Sequence, residues 1–180
     1  MKATGIVRRI DDLGRVVIPK EIRRTMRIRE GDPLEIYTSK DGEVIFKKYS
    51  LMGGVDEFAA QLCETLSKST GTTVAVTDRD SVIAAAGSAR RDLIGKRISP
   101  QLEQIMEDRG IYRAMPNERS VFVTESLDRY CAAVAAPIIS EGDALGLVVF
   151  VGTEGETNAG ETEYKLAQAI AGFLGKHMES

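Results

Sequence analysis

Arginine is the chemically distinctive residue of the first fifty positions, where it supplies seven of the twelve basic side chains. A guanidinium group is planar, stays charged, and can pair through two parallel N–H groups with a guanine edge or clamp a phosphate. Eight acidic residues leave this segment with a net charge of +4, whereas residues 51–180 carry −7. The asymmetry predicts two parts with different partners, and a polyanion is the natural partner of the first part.

Other functional chemistry has little support in the sequence. The single histidine, His177, excludes a histidine-based triad and a zinc cluster. A glycine-rich phosphate loop ending in Lys-Ser/Thr does not occur, and the paired carboxylates Asp78 and Asp80 fall in a turn. Cys63 and Cys131 lie in apolar stretches without metal-ligand spacing. We therefore expect no enzyme activity, no cofactor and no metal.

The length and composition are those of a globular protein with one or two domains. The 180 residues are 43% hydrophobic and 28% charged, which excludes collagen, disordered acidic chains and disulfide mini-proteins. The longest apolar run, around residues 145–151, is far shorter than the roughly 18 residues that span a bilayer. The N-terminal sequence has no apolar signal-peptide core, so the cytoplasm is the expected location.

The first fifty residues alternate short extended stretches with turns. The predicted elements are strands over 4–10, 15–18, 34–38 and 43–49 and a helix over 20–26. Gly14 supplies one turn, Pro19 lies where the helix begins, and the pair Asp41-Gly42 indicates a hairpin. So small a unit can hardly bury its many apolar residues alone. We expect it to share its core with a second copy as an obligate dimer.

The motif Leu-Gly-Arg-Val-Val-Ile-Pro at residues 13–19 is followed by a short arginine-containing helix. Together with residues 4–12, this motif resembles the AbrB-type swapped-hairpin DNA-binding domain, and the resemblance extends over residues 1–50. It implies a dimer of interleaved β-hairpins that presents arginines to double-stranded DNA. The DNA-facing arginines of that family fall on Arg8, Arg15, Arg23 and Arg24 of this sequence.

Two interpretations of these arginines compete. A run of charges is usually a solvated surface that only keeps a domain soluble, whereas the turn motif and the charge segregation favour DNA binding. Arg9 and Lys2 are further candidates for phosphate contacts. Arg27 and Arg29 fit a solvated surface better and could pair with nearby glutamates.

Residues 51–55 contain a glycine pair and are expected to link the first domain, 1–50, to a second domain over 56–180. Helices are predicted from the caps Asp56, Ser99 and Thr157 or Asn158 to Ser69, Gly110 and Met178, and strands over 72–77, 81–86, 120–124, 130–139 and 144–151. Residues 87–98 are expected to be irregular. The order of elements predicts an α+β fold with an antiparallel sheet.

The sequence Ala-Pro-Ile-Ile at 136–139, a turn at Gly142 and Gly-Leu-Val-Val-Phe at 146–150 resemble a hairpin of the GAF family of small-molecule sensor domains. A PAS domain is the nearest rival, but its usual order of elements lacks the flanking helices. The GAF resemblance implies a cavity between the sheet and residues 87–118. Candidate ligand-binding residues, each with a solvated or packed side chain as the alternative, are Arg90, Arg91, Tyr112 and Tyr130.

The last predicted helix is rich in small residues, which permit close approach of helices. These residues are Ala159, Ala167, Ala169, Ala171, Gly172 and Gly175. We expect the first and last helices of the second domain to join two dimers into a tetramer. Packing of the same small residues on the protein's own sheet is the alternative.

Over its full length the chain resembles a family of transcription regulators from spore-forming bacteria. This resemblance implies a regulator, specific for DNA sequence or shape, that activates and represses late sporulation genes. An antitoxin-like protein-interaction module is one alternative, because the hairpin domain also occurs in toxin–antitoxin pairs, although the folded second domain argues against it. A GAF-like enzyme tethered to DNA is another, and the absence of catalytic residues argues against that.

Overall fold

The computed structural model of the protein describes residues 4–155, 157 and 159–179. The chain forms two compact units, Met1–Tyr49 and Ser50–Ser180, here named the N-terminal and C-terminal units. None of the helices in the described ranges is long and apolar enough to cross a bilayer. Nor do those ranges contain a group of three or more His, Cys, Asp or Glu side chains that could hold a metal ion.

From residue 4 onward, the N-terminal unit contains one short helix and one β-hairpin. Its elements are α1 (Lys20–Met26), β1 (Leu34–Thr38) and β2 (Val44–Lys48). The two strands pair antiparallel, with Ile36 opposite Phe46. Gly42, in the connecting turn, has a φ of 81°, a value that glycine adopts without strain. The hairpin predicted from the Asp-Gly pair is confirmed.

The segment before α1 contains the predicted turn but not the two predicted strands. The N–H of Gly14 donates to the Asp11 carbonyl and the N–H of Asp11 donates to the Arg15 carbonyl, each at 3.0 Å. The strands expected over 4–10 and 15–18 are wrong for a single chain. Extended backbone becomes a strand only where a neighbouring strand completes a ladder of hydrogen bonds, and the described residues offer the segment no such ladder.

Backbone carbonyl groups at both ends of helix α1 accept hydrogen bonds. Pro19 is its N-cap residue, one position earlier than the first helical residue, and its carbonyl accepts the N–H of Arg23 at 3.0 Å. Arg27 ends the helix in the left-handed conformation, with a φ of 49°. Its carbonyl accepts a hydrogen bond from Lys48 Nζ at 2.9 Å. This bond ties the end of the helix to β2.

The C-terminal unit is an antiparallel sheet with helices on both faces. Its elements are α2 (Asp56–Thr70), β3 (Thr73–Thr77), β4 (Val82–Ala86), α3 (Arg90–Leu93), α4 (Pro100–Asp108), β5 (Tyr112–Arg113), β6 (Phe122–Thr124), β7 (Leu127–Ser140), β8 (Asp143–Thr153) and α5 (Glu161–His177). The strand order is β4-β3-β8-β7-β5, and β6 also pairs with β7. The predicted α+β architecture is confirmed.

Two apolar clusters fill the layers on either side of the sheet. The layer under α2 and α5 includes Phe150, Ile138 and Leu174, and the layer under α3 and α4 includes Leu147, Leu102 and Met106. Met52 and Val55, from the segment expected to link the domains, are buried in the first cluster. The sheet alternates its side chains between the two clusters, as period-two strands require.

The cap residues predicted from the sequence lie within a few residues of most observed helix ends. Ser99 caps α4 as predicted, its Oγ accepting the N–H of Leu102 at 3.1 Å. Helix α2 begins at the predicted Asp56, but Val55 is its N-cap residue and gives no side-chain cap. Helix α4 ends before Gly110 because Arg109 already adopts the left-handed conformation, with a φ of 58°.

The start of α5 lies later than expected. The predicted caps were Thr157 or Asn158; Asn158 lies outside the described residues, and the helix begins at Glu161 after Gly160. Arg113, on the neighbouring strand β5, forms hydrogen bonds with the first residue of this helix and with the residue Ala159 before it. Its Nε and Nη2 donate to the Ala159 carbonyl at 3.0 and 2.8 Å, and its Nη1 donates to Glu161 Oε2 at 2.9 Å.

Two glycines allow backbone to approach backbone in the C-terminal unit. A Cβ on Gly146 would lie 1.9 Å from the Thr77 carbonyl oxygen, where β8 passes the end of β3. A Cβ on Gly175 would lie 2.1 Å from the Ile139 carbonyl oxygen, where α5 crosses β7. Any side chain at these positions would push an element away from the sheet.

Candidate functional site

The four candidate DNA-facing arginines are all exposed on the N-terminal unit. Arg23 and Arg24 lie in the last turn of α1, Arg8 lies in the extended segment before the Gly14 turn, and Arg15 directly follows that turn. Within the described part of the chain, Arg8, Arg23 and Arg24 form no salt bridge. Their N–H groups are therefore available to phosphates or base edges. Arg9 is likewise exposed, whereas Lys2 lies outside the described residues.

Arg15 differs from the other three because Asp11 holds its side chain. Arg15 Nε donates to Asp11 Oδ2 at 2.8 Å. The other carboxylate oxygen, Oδ1, accepts the backbone N–H groups of Leu13 at 3.0 Å and Arg15 at 2.7 Å. These hydrogen bonds from the Arg15 backbone and side chain hold the pKa of Asp11 below its usual range. The Arg15 side chain remains 69% exposed.

A small polar cluster supports the helix that carries two of the candidate arginines. Asp32, whose side chain is 3% exposed, accepts the N–H of Arg29 at 2.8 Å and lies 3.6 Å from Lys48 Nζ. Arg27 and Arg29 are half-buried here, unlike the four candidate arginines. These contacts fasten the turn after α1 to β2, so they fix the orientation of α1 on the hairpin.

The apolar side chains around the arginines lie in solvent within a single chain. Val7 is 85% exposed, Ile10 72% and Leu13 71%. Among the described residues up to Tyr49, only Pro19 is buried. A folded unit normally buries residues of these types, so this exposed apolar surface is unusual for a unit on its own.

A pocket of about 230 Å³ lies in the C-terminal unit, where the start of β3, the loop after β4 and the end of β8 meet. Its wall includes the side chains of Thr72, Thr73, Ser88 and Tyr130. Thr73 Oγ1 accepts the N–H of Ala89 at 3.3 Å and lies 3.5 Å from Ser88 Oγ. The wall thus combines hydroxyl groups with the apolar residues Ala89 and Val151.

Of the four candidate ligand residues, Tyr130 is the one in the wall of this pocket. Its hydroxyl donates to Asp92 Oδ2 at 2.5 Å, and this bond raises the pKa of Tyr130. Arg90 and Arg91 are exposed on α3, outside the wall. Tyr112 is half-buried on β5 and packs against the cluster under α3 and α4.

Apolar side chains occupy much of the layer in which the GAF resemblance implied a cavity. Leu93, Ile98, Leu102 and Met106 all lie there and are at most 1% exposed. Cys131 is buried, as expected of a small apolar residue rather than a reactive thiol.

Two carboxylates that contact candidate residues are not singled out by the sequence analysis. Asp11 is one of them, although an acidic residue four positions before Arg15 across a glycine turn is a detectable signal. Asp92 contacts Tyr130 across 38 residues of sequence, and no local pattern indicates that contact.

Comparison with known families assigns both units. Residues 54–179 match the family described as Stage V sporulation protein T C-terminal, transcription factor. Residues 7–51 match the family described as Antidote-toxin recognition MazE, bacterial antitoxin.

Individual relatives agree with this division. Stage V sporulation protein T of Bacillus subtilis (strain 168) is 47% identical over 180 residues, 99% of each chain. Transition state regulatory protein AbrB of the same organism is 63% identical over 49 residues, which is 27% of this chain and 50% of AbrB. The GAF domain/HD domain protein of Geobacter sulfurreducens has the same fold over 73% of this chain and 99% of its own, with a TM-score of 0.50 at 19% identity.

The two units thus define a transcription factor in which an AbrB-like DNA-binding domain is joined to a GAF-like domain. The chain belongs to the stage V sporulation protein T family. It is a sporulation transcription factor and not an enzyme, as the sequence predicts.

Proposed function

We propose that the chain binds double-stranded DNA through Arg8, Arg15, Arg23 and Arg24 and recognises DNA sequence or shape. The observation that carries this proposal is the exposure of all four side chains, three of which form no salt bridge in the described part of the chain. Arginines that are not neutralised by carboxylates contribute most to the free energy of binding to a polyanion. The 63% identity to AbrB over 49 residues supports the same site.

The N-terminal unit acts as an obligate dimer in this proposal. Its exposed Val7, Ile10 and Leu13 would be buried against a second copy. The segments 4–10 and 15–18, which have no strand partners among the described residues of one chain, would find them in the other. This is the swapped-hairpin arrangement implied by the resemblance to the AbrB-type domain. Two-fold symmetry would place eight of the candidate arginines on one surface, so binding should weaken steeply as salt rises.

The proposed targets are late sporulation genes, some activated and others repressed, on the nucleoid in the cytoplasm. The support is the 47% identity, over 99% of both chains, to a relative named Stage V sporulation protein T. The GAF-like domain would sense an unidentified signal, for which the pocket containing Tyr130 is the candidate site. Arg90, Arg91 and Tyr112 stay candidates for contacts with that signal.

Two dimers would join through α2 and α5 of their C-terminal units. These helices lie side by side, since the Phe58 and Phe173 rings are 5.9 Å apart and the Phe58 and His177 rings 5.1 Å apart. Phe173 is half exposed, and Gly172 has open space where a Cβ would lie. An exposed aromatic beside a glycine suits close packing of helices from another copy.

Alanine substitutions test the DNA site. Replacing Arg8, Arg15, Arg23 or Arg24 by alanine should weaken DNA retention in a gel-shift assay while the dimer stays folded. If the lost contact is to a phosphate, the slope of log affinity against log salt should become shallower by about 0.9 per contact. Lys40→Ala, which removes an exposed cation from the hairpin turn, is the matched control and should change neither the DNA retention nor the salt slope. Unchanged retention in all four variants contradicts the proposal.

The match of residues 7–51 to an antitoxin family supports a second candidate, an antitoxin-like interaction module. The match of residues 54–179 to a transcription factor family argues for the regulator. Genomic fragments retained by the full chain distinguish the two. A full chain that retains no fragment, but forms a stable complex with a toxin protein, favours the second candidate.

A further inference from the structure

Asp11 determines both the turn before Arg15 and the position of the Arg15 side chain. One carboxylate oxygen accepts two backbone N–H groups of the turn, and the other accepts Arg15 Nε at 2.8 Å. The backbone of Asp11 adds two more bonds, donating to the Arg15 carbonyl and accepting from Gly14. None of the other three candidate arginines has a carboxylate partner in the described residues.

This pairing changes what Arg15 can recognise. With Nε engaged, the two terminal nitrogens Nη1 and Nη2 remain, and they form the parallel pair of donors that matches O6 and N7 of guanine. The Asp11 charge also cancels much of the attraction of Arg15 for phosphates, because it lies within hydrogen-bond distance. A fork held in place loses less conformational freedom when it binds than a free side chain does.

We infer that Asp11 is a positioning residue that makes Arg15 the base-reading contact of the DNA interface, whereas Arg8, Arg23 and Arg24 contact phosphates. This inference rests on the proposed function, because it assigns separate roles within the same site. Phosphate contacts orient a protein on the duplex, and base contacts carry sequence information. The specificity of the interface would therefore depend on a residue that does not touch DNA.

The experiment compares Asp11→Asn with Asp12→Asn in the full chain. Asparagine at position 11 keeps an oxygen for the turn but offers no second oxygen to Arg15 Nε. Asp12 is exposed and its side chain has no hydrogen bond or salt bridge in the described structure, so Asp12→Asn makes the same charge change without disturbing Arg15. The two probes are a duplex that the wild-type chain enriches from a random-sequence pool and a shuffled duplex of equal length and composition.

The measured quantity is the ratio of affinities for the enriched and shuffled duplexes. Asp11→Asn should lower this ratio by about fivefold or more, the discrimination of one bidentate base contact, and should not weaken binding to the shuffled duplex. Asp12→Asn should leave the ratio unchanged. Arg15→Ala should lower the ratio as Asp11→Asn does, and adding Asp11→Asn to Arg15→Ala should lower it no further.

An unchanged ratio in Asp11→Asn, or an equal loss in Asp12→Asn, overturns the inference. Should Asp11→Asn fail to fold by circular dichroism, Arg15→Lys replaces it, because lysine keeps the charge but has neither Nε nor the fork. Arg15→Lys should lower the ratio while the salt slope stays the same, and an unchanged ratio again overturns the inference. Failure of the proposed function would give a different result. Either the wild-type chain would not bind DNA, or the four alanine variants would bind DNA as strongly as the wild type.

Discussion

The apolar residues of the N-terminal unit lie largely in solvent, whereas those of the C-terminal unit fill two core clusters. Val7 in the first unit is 85% exposed, and Phe150 in the second is 1% exposed. The C-terminal unit buries both faces of its sheet under helices. The N-terminal unit has a single hairpin and a seven-residue helix to cover its apolar side chains.

This difference indicates two sources of stability. The C-terminal unit contains its own core, so its folding follows from burial within one chain. The N-terminal unit would gain comparable burial only from another copy, which would make its stability depend on protein concentration. In the proposed dimer, folding of the DNA-binding surface would therefore be coupled to assembly.

The largest expected effect comes from a carboxylate placed in the proposed shared core. Val7→Asp should abolish the dimer, because burying an unpaired carboxylate costs on the order of 4 kcal/mol or more. Sedimentation velocity and gel shift should report monomers that no longer retain DNA. At an exposed position of a self-sufficient unit, the same change would alter stability by only about 0.5 kcal/mol.

Thr38→Asp is the control for Val7→Asp, because Thr38 is an exposed polar residue of the same unit. It should leave the molar mass unchanged. A dimeric, DNA-binding Val7→Asp variant would contradict the shared core and would make the two units equally self-sufficient.

The next effect concerns the C-terminal core. Phe150→Ala should destabilise this unit by about 3–5 kcal/mol, since it removes a fully buried aromatic side chain from the layer under α2 and α5. Urea denaturation followed by circular dichroism measures the loss. If the N-terminal unit stays dimeric when the C-terminal unit unfolds, the two units have separate sources of stability. If both units unfold together, this difference between them is contradicted.

Alanine substitutions at two glycines of α5 should change the free energy of unfolding in opposite directions. Gly175→Ala should cost about 1–3 kcal/mol, because its Cβ would clash with the Ile139 carbonyl of β7. Within its own chain Gly172→Ala meets nothing within 4 Å, so in a C-terminal unit that is not joined to another copy it should gain about 0.5–1 kcal/mol of helix stability. Denaturant midpoints measure both, and equal effects would mean that α5 does not depend on close contact with the sheet.

The smallest effect near neutral pH is that of the buried thiols. Burial raises the pKa of Cys63 to about 12, well above the value of about 8.5 for an unfolded chain. The neutral thiol therefore contributes stability that is fully present below about pH 8.5 and is lost as pH rises toward about 12. The N-terminal unit contains no cysteine, so no thiol contributes to its pH dependence. Denaturation of the C-terminal unit across this range should show the decline, and Cys63→Ala should make it less steep.

Much of the fold could be predicted because the signals are local. The Asp41-Gly42 turn, the Ser99 cap and Gly71 at the end of α2 each act through neighbouring residues. Strand β5 could not be predicted, because its two residues are defined by pairing with Ala135 and Val134 of β7. The strands expected in the N-terminal segment require partners that one chain does not offer.

The candidate DNA site could be located from the sequence, but its internal contacts could not. The resemblance to the AbrB-type domain points to Arg15, and the charge segregation favours DNA binding. The hydrogen bond from Arg15 Nε to Asp11 Oδ2 at 2.8 Å, however, depends on how the arginine side chain folds back toward the carboxylate. The pocket around Tyr130 depends on contacts between distant strands and loops. Sequence patterns indicate which residues are available, whereas tertiary contacts decide how they are oriented.

Arg113 anchors only one end of α5. Its three hydrogen bonds to Ala159 and Glu161 tie the first turn to the edge strand β5, although Gly160 provides no side-chain cap. The last turns are held by other contacts, because the His177 ring lies 5.1 Å from the Phe58 ring and Gly175 lies against β7. Arg113→Ala should therefore speed deuterium exchange of the backbone amides in the first turn of α5 and leave exchange in the last turns unchanged.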